Sequence, residues 1–223
     1  HSLKIQTPTP KHRYCWLNIP EISLFEWHPF TIASSPSSNK VVFYCGDIHR
    51  EGSFTNRLRI ASQSQKLTVN LDGPHGKLGL NLDAHEYVLL VAGGMGITPM
   101  ISIFCDLAER KKRGECPNLK KCMLVFSCKT SEQLMWFMDQ YRECEKVDGF
   151  TVELYATRHK DTESSSGRVH NGRANIENIV SVFGHGGNFV EMSVKASSES
   201  KRSSSRTSGV KPENVAVLAC GPE

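Results

Sequence analysis

The chain has 223 residues, of which 39% are hydrophobic and 22% are charged, and its formal net charge is +4. This length suits one large domain or two small ones, and the composition excludes a chain that needs disulfide or metal staples to fold. The positive excess lies between Lys195 and Lys211, where there are five basic residues and one acidic residue. The rest of the chain is therefore neutral, which argues against a nucleic-acid-binding surface.

The basic segment at 193–211 is rich in serine and has almost no large apolar side chains. Such a composition cannot offset the entropy of ordering, so we expect a disordered insertion there. Regulation by phosphorylation and contact with a membrane surface both remain open. The eight cysteines form no Cys-x-x-Cys pair and have no histidine at zinc-ligand spacing. This indicates reduced thiols in the cytosol and no metal site.

The first part of the chain predicts an antiparallel β structure. Short β-rich runs, each bounded by Pro, Gly, Asn or Ser, occur at 14–20, 28–35, 40–46 and 66–74. No long helical period competes with them, and the spacing of the runs is typical of a small barrel or sandwich. We expect this domain to occupy residues 1–78.

From residue 79 to residue 223 the pattern changes to apolar strands that alternate with helices. Strands are predicted at 87–92, 121–128, 151–158 and 215–221, and helices at 99–113 and 131–146. This alternation predicts a parallel sheet with helices on its faces. The uncharged run 87–105 is nearly long enough to span a bilayer, but three glycines and Pro99 interrupt it. We interpret it as a strand that enters a helix.

The sequence VAGGMGITP at 91–99 connects that strand to that helix and is typical of a phosphate loop. Its glycines allow a tight turn and let the backbone approach an anion at the helix N-terminus. Thr98 is expected to cap the helix, and Pro99 suits its first turn. A glycine-rich connection without a ligand is the alternative.

The ends of other predicted strands favour a bound ligand over a glycine-rich connection without one. Ligands of doubly wound sheets lie beyond the carboxyl ends of the strands. Three predicted strands end in residues of types that often contact ligands, namely Ser127-Cys128-Lys129, Thr157-Arg158 and Cys220-Gly221-Pro222. The motif NGRAN at 171–175 adds Arg173, whose planar guanidinium suits a phosphate group. Together these ends predict a bound dinucleotide.

Six motifs carry a resemblance to a known family, in the order HPFTIASSP, EGSFT, DGPHG, VAGGMGITP, NGRAN and CGPE. Their order and spacing resemble the flavin and NADPH domains of the NADPH oxidase and ferric-chelate reductase family, which belongs to the ferredoxin–NADP⁺ reductase fold group. The likeness covers residues 14 to 223. It implies an incomplete antiparallel FAD-binding barrel followed by a Rossmann-like parallel-sheet NADPH-binding domain.

The resemblance and the strand ends together define the expected site. For FAD we expect contacts from His28, Pro29, Phe30, Thr31, Ser34, Gly52, Ser53 and Thr55. For NADPH we expect contacts from Gly93, Gly94, Gly96, Thr98, Pro99, Cys128, Arg158, Gly172, Arg173, Gly221 and Pro222. The resemblance places Cys220 beside the nicotinamide as the catalytic residue. Many family members carry His-x-Arg before the second flavin motif, where this sequence has Asp47, Ile48 and His49, so the basic residue that reaches the FAD phosphates is not identified.

The resemblance implies a cytosolic module of a membrane protein that accepts hydride from NADPH onto FAD. Single electrons would then pass to heme in a transmembrane domain of the same full-length chain, and reduce dioxygen to superoxide or reduce ferric chelates. The first barrel strands and the final helix of the family have no counterpart here, so we expect a fragment of a longer chain. Cytosolic regulators, a nucleotide-decayed docking module and a soluble flavin reductase remain open.

Overall fold

The structure is a computed structural model that describes residues 2–5, 13–46, 50–64, 66–158, 169–184 and 212–221. The predicted insertion, residues 47–49 and Pro222 lie outside this part of the chain. The strands are β1 Ser2–Ile5, β2 Tyr14–Asn18, β3 His28–Thr31, β4 Val41–Tyr44, β5 Asn70–His75, β6 Tyr87–Gly93, β7 Lys121–Cys128, β8 Phe150–Ala156, β9 Val169–Asn171 and β10 Val215–Cys220. The α-helices are α1 Phe54–Ser64, α2 Ile97–Lys112, α3 Ser131–Met135, α4 Met138–Glu145 and α5 Ile176–Gly184.

The N-terminal half is antiparallel, as predicted. Its strands form one sheet in the order β3-β2-β5 and a second sheet of β1 with β4. A hydrogen bond of 2.9 Å from the Ala33 amide to the Val42 carbonyl joins the two sheets. Leu17, Ile32 and Phe43 are fully or almost fully buried in the core of this half. Burial of these side chains is the main force that holds the two sheets together.

Helix α1 was not predicted, because no long helical period was recognised in the first part of the chain. Phe54 instead begins a helix of 11 residues. Phe54 and Leu58 are its buried residues, and they pack with Ile19 of the β half. Two buried positions four residues apart show too little of a helical period to be recognised among polar neighbours.

The C-terminal half has a five-stranded parallel sheet in the order β10-β6-β7-β8-β9, which confirms the predicted α/β layer. Helices α2, α3 and α4 contribute to the larger core on one face, while Ile179 and Phe183 of α5 pack on the other face. Strand β9 and helix α5 were not predicted. The helix predicted at 131–146 is interrupted at Trp136 and Phe137, so it forms α3 and α4.

The uncharged run 87–105 is a strand followed by a helix, as interpreted from its glycines. It supplies β6 and the first half of α2. Among the described residues, no helix combines the length and the apolar character needed to cross a bilayer.

The two halves contact each other along α2. The Ser102 hydroxyl donates a hydrogen bond of 2.8 Å to the Ser34 carbonyl, and the Ser35 hydroxyl donates one of 2.8 Å to Glu109 Oε2. The ring centroids of Tyr44 and Phe137 lie 4.5 Å apart. The segment that follows β3 therefore lies against the helix that follows the glycine turn.

Candidate functional site

Strand β3 and the start of α1 bring together the two flavin motifs of the sequence. The ring of His28 stacks on that of Phe54, with centroids 4.0 Å apart and an interplanar angle of 27°. The ring of Phe30 lies 6.2 Å from the same phenylalanine. Residues two apart on a strand share a face, so His28 and Phe30 line one surface. Pro29 is exposed and Thr31 is half-buried.

The segment Gly52 to Thr55 forms a helix N-terminus. Ser53 Oγ accepts a hydrogen bond of 3.3 Å from the Asn56 amide, which is the geometry of a capping serine. Thr55 Oγ1 lies 3.5 Å from Ser53 Oγ. Gly52 has a φ of +77°, and a Cβ there would have no atom within 4 Å. An anion at this open turn would meet the positive end of the helix dipole.

The charges beside β3 are already paired. Arg57 Nη2 donates to Glu26 Oε2, and His28 Nε2 lies 3.5 Å from the same oxygen. The hydrogen bond from Arg57 is the main reason that the pKa of Glu26 is lowered. Because residues 47–49 lie outside the described ranges, the basic residue for the FAD phosphates stays unidentified.

Ser34 has a structural role that is visible in the hydrogen bonds. Its hydroxyl accepts a hydrogen bond of 3.2 Å from the Val42 amide, and its carbonyl accepts the bond from Ser102. The residue thus links β4 to α2 directly behind the HPFT strand. Its contact with FAD stays a prediction.

The glycine turn between β6 and α2 uses its glycines in two ways. Gly94 has a φ of +51°, and a Cβ there would meet nothing within 4 Å, so this position combines a left-handed backbone with open space. A Cβ on Gly96 would lie 2.1 Å from the Cys220 carbonyl oxygen. A Cβ on Gly221 would lie 2.9 Å from the Gly93 Cα. Gly94 therefore faces open space, while Gly96 packs the turn against the end of β10.

Thr98 does not cap α2, and the prediction that it does was wrong. Gly96 occupies the N-cap position, and no side chain caps the helix there. The buried hydroxyl of Thr98 donates a hydrogen bond of 3.0 Å to the Met95 carbonyl. Pro99 does lie in the first turn, as predicted. No side-chain acceptor competes for the amides of this N-terminus, but the Ile97 amide already donates to the carbonyls of Gly94 and Met95.

The predicted strand ends do meet at one edge of the sheet. Four register pairs place the carboxyl ends of the five strands side by side: Cys220 with Ala92, Gly93 with Ser127, Cys128 with Ala156, and Ala156 with Asn171.

The side chains at this edge differ in exposure. Cys220 is exposed. Cys128 is buried, its thiol donates a hydrogen bond of 3.0 Å to the Thr130 carbonyl, and burial raises its pKa. The side chain of Cys128 therefore points into the protein, and its contact with NADPH stays a prediction. Arg158 is exposed, and its amide is anchored to the Lys129 carbonyl at 3.1 Å.

The NGRAN motif follows β9 at the same edge. Gly172 has a φ of +97°, and its amide donates a hydrogen bond of 2.9 Å to the Ala156 carbonyl. Arg173 follows it and is exposed. Asn175 Oδ1 accepts a hydrogen bond of 3.0 Å from the Asn178 amide and so caps α5.

Met95 lies where the β half faces the glycine turn, and the sequence analysis missed it. The side chain is 39% exposed, and a Cβ on Gly46 would lie 3.0 Å from its Cγ. Gly46 follows β4, so the β half packs across from the glycine turn. The sequence did contain a signal for Met95, because it is an apolar residue within a run of glycines. Such a side chain has no neighbouring apolar residues to pack with in its own turn.

The geometry suits two nucleotides at one seam. On the β side, the aromatic surface of His28 and Phe30 adjoins the helix N-terminus at Ser53. On the α/β side, the open Gly94, the uncapped α2 and the exposed Cys220 lie at the carboxyl edge of a parallel sheet. Helix dipoles and glycine backbones of this kind bind pyrophosphate groups, and a sheet edge binds dinucleotides. The fold and site define a two-domain flavoprotein of the ferredoxin reductase type.

Comparison with family models agrees with this class. Residues 85–223 match the ferric reductase NAD binding domain, and residues 3–79 match an FAD-binding domain. The chain belongs to the ferric reductase NAD-binding family and carries an FAD-binding domain before it. The predicted pair of cofactors, FAD and a nicotinamide dinucleotide, is thereby confirmed.

Curated relatives cover both branches of the resemblance. Ferric reduction oxidase 2 of Arabidopsis thaliana is 35% identical over 170 residues, which are 69% of this chain and 23% of that protein. NADPH oxidase 1 of Mus musculus is 28% identical over 156 residues, which are 65% of this chain and 26% of that protein. The chain thus spans about a quarter of the length of these relatives.

Solved structures share the fold. A ferredoxin NADP+ reductase from Neisseria gonorrhoeae with bound FAD and NADP has a TM-score of 0.61 at 14% identity, over 99% of this chain and 78% of that chain. The CS-b5R domains of human Ncb5or in the NAD+ form have a TM-score of 0.63 at 20% identity, over 99% of this chain and 57% of that one. These likenesses confirm the ferredoxin reductase fold.

Proposed function

We propose that the chain is the dehydrogenase module of a membrane flavocytochrome. It acts as an NADPH-dependent FAD oxidoreductase on the cytosolic side, and its electrons pass to transmembrane heme of the same full-length protein. The final acceptor is dioxygen, giving superoxide, or a ferric chelate. Residues 1–78 form its FAD-binding domain, and residues 79–223 form its NADPH-binding domain, with a Ser/Arg-rich insertion near 193–211.

One observation carries the proposal. The segment that follows β3 and the open glycine turn belong to different halves, yet they lie along the same seam. The 2.8 Å bond between Ser102 and Ser34 and the contact of Met95 with Gly46 hold that seam together. A transfer between two bound cofactors requires such adjacency, because the reacting atoms must meet at near-contact distance with water excluded.

On the flavin side, the roles follow from the side chains. His28 and Phe30 supply an aromatic wall on one face of β3, and Thr31 supplies a hydroxyl at the end of the strand on the opposite face. The turn at Gly52 and Ser53 leads into α1, whose N-terminus suits the pyrophosphate of FAD. When bound, FAD accepts the reducing equivalents of NADPH as a pair and passes them on singly.

On the nicotinamide side, Gly94 lets the backbone approach the pyrophosphate of NADPH, and the N-terminus of α2 stabilises its charge. Gly172 turns the chain so that Arg173 can hold the adenosine 2′-phosphate, with Arg158 near it at the end of β8. Cys220 orients the nicotinamide. These residues bind and position, so the protein needs no acid–base pair of its own for this transfer.

The test is anaerobic reduction of the flavin. The protein is loaded with FAD and mixed with NADPH or with NADH, and the visible flavin band is followed, with ferricyanide as acceptor in a second assay. NADPH is expected to bleach the flavin faster than NADH. Binding of both cofactors without bleaching would contradict the proposal, and binding of neither by a folded chain would favour a docking module.

Gly94→Ala provides the variant, and Gly79→Ala provides the matched control. Both positions are open around the Cβ, but only Gly94 has a positive φ. We expect Gly94→Ala to weaken NADPH binding and the control to leave it unchanged. The final acceptor is determined with the full-length protein in membranes, by comparing superoxide formation with ferric-chelate reduction.

A further inference from the structure

A buried carboxylate on β8 lies behind the segment that carries Arg173. Glu153 is 9% exposed, and its Oε2 lies 2.9 Å from His170 Nε2 on the neighbouring strand β9. The ring of His170 also stacks on Tyr155, with centroids 4.9 Å apart and an interplanar angle of 27°. Burial of a carboxylate is unfavourable unless a partner binds it, so the histidine compensates Glu153 in the fold.

The strand register explains why these three side chains meet. Glu153 and Tyr155 are two apart on β8 and share a face, and Tyr155 pairs directly with His170. Strand β9 has only three residues and is the edge strand of the sheet. So short an edge strand has few ladder hydrogen bonds, and the His170 side chain adds an anchor that the backbone alone does not provide.

A second anchor lies on the other side of Arg173. Ala174 packs against the core that contains Ile179 and Phe183, and Asn175 caps α5. We name residues 170–175 the arginine arm. His170 holds its first end, and Ala174 with Asn175 holds its last.

We propose that His170 is a positioning residue for the 2′-phosphate of NADPH, acting through Arg173. The pair with Glu153 and the stack on Tyr155 fix the start of the arginine arm, and Gly172 turns the chain so that Arg173 is held at the carboxyl edge of β8. A long arginine side chain loses rotamer freedom when it binds a phosphate, and a fixed backbone lowers the rest of the ordering cost. The inference rests on the proposed phosphate role of Arg173.

The experiment is a double-mutant cycle on the FAD-loaded protein. Binding of 2′,5′-ADP and of 5′-AMP is measured by calorimetry for the wild type, His170→Ala, Arg173→Ala and the double variant. We expect His170→Ala to weaken the binding of 2′,5′-ADP several-fold and to leave the binding of 5′-AMP unchanged. The loss should stay below about a hundredfold, which is the effect expected when a binding group is misplaced. In the Arg173→Ala background the same substitution is expected to have no further effect, because both act through one contact.

Kinetics gives a readout that a merely structural role would not move. His170→Ala is expected to raise the KM for NADPH while kcat and the KM for NADH stay constant. His170→Gln retains a donor towards Glu153 and is expected to recover most of the affinity. It also replaces the alanine variant if that variant fails to fold.

Four results would overturn the inference. Equal weakening of 2′,5′-ADP and 5′-AMP would show a general loss of structure, and additive effects in the cycle would show that His170 acts apart from Arg173. Unchanged 2′,5′-ADP affinity in His170→Ala would exclude any role. Equal binding of both nucleotides by the wild type would refute the phosphate role of Arg173, and the positioning role of His170 with it. Flavin reduction by the dinucleotide is tested separately by the bleaching assay.

Discussion

The hydroxyl of Ser102, in the second turn of α2, donates a hydrogen bond of 2.8 Å to the carbonyl of Ser34, just beyond the HPFT strand. The two residues are 68 positions apart in sequence and belong to different halves of the protein. Ser102 is 4% exposed, so the bond is shielded from water. This contact is one of those that place the glycine turn relative to the flavin motif.

Ser102→Ala removes the donor and leaves the Ser34 carbonyl without it. We expect a loss of about 1 kcal/mol of unfolding free energy, which lowers Tm by roughly 2–4 °C for a chain of this size. Flavin reduction by NADPH should slow as well, because the seam loosens. Thermal unfolding and stopped-flow absorbance measure the two effects. Ser62→Ala on the exposed surface of α1 is the control, and equal behaviour of the two variants would contradict the role of the seam.

Gly96→Ala places a methyl group at a position 2.1 Å from the Cys220 carbonyl oxygen. The end of β10 must move, so we expect a loss of about 1–3 kcal/mol in stability and a fall in kcat. Gly79→Ala is again the control, since a Cβ there meets nothing within 4 Å. A normal Tm for Gly96→Ala would show that the turn does not pack on β10 in solution.

Cys220 should be the cysteine that reacts first with an alkylating reagent. It is exposed, whereas burial raises the pKa of Cys45 to about 11, which leaves roughly a hundredfold fewer thiolates at neutral pH than its ordinary value would. Peptide mass spectrometry of briefly labelled protein locates the label. NADP⁺ should protect Cys220 if the nicotinamide lies beside it, and first labelling of another described cysteine, or labelling unaffected by NADP⁺, would contradict this placement.

Asp106 predicts a pH effect on stability. Burial raises its pKa above the ordinary value of 3.8, although Arg110 and Arg13 act to lower it. The folded chain therefore binds this proton more tightly than the unfolded chain, so the contribution of Asp106 to stability is fully present below that ordinary pKa and is lost as pH rises through the raised value.

Asp106→Asn removes this titration. We expect the variant to gain stability relative to the wild type as pH rises from 3.8 towards neutrality, as measured by urea unfolding at a series of pH values. The exposed Asp148 carries the control substitution to Asn. A gap between variant and wild type that does not change with pH would show that desolvation of Asp106 is not the dominant effect.

Most of the parallel sheet was predictable, because its central strands β6 and β7 are continuous apolar runs. Val88 to Leu90 and Met123 to Phe126 are buried on both faces, and such runs differ sharply from the amphipathic period of α2. The glycine turn lies between β6 and α2, which both have clear sequence patterns, so its position could be predicted as well. In the flavin half, the short strands alone predict little about function. There the prediction came from the order of the sequence motifs.

The missed elements have physical causes. Strand β9 has three residues, and its pairing with β8 depends on tertiary contact rather than on its own sequence. Helix α1 buries only Phe54 and Leu58, so its helical period is not visible. Glu153 and His170 are 17 positions apart on two separate strands, and one sequence contains no signal for such a pair. Thr98 was assigned to the cap because its hydroxyl suited that role, but Gly96 already occupied the position.

Gly96 packs closely on the Cys220 carbonyl, so the glycine turn and the backbone of Cys220 are in direct contact. A dinucleotide bound at both places would have its diphosphate and its pyridine ring held by two backbone segments that contact each other. That contact would fix the distance between the two binding positions. Enlargement of a residue in the turn would then misplace the pyridine ring as well as the diphosphate, which links binding and turnover in a single defect.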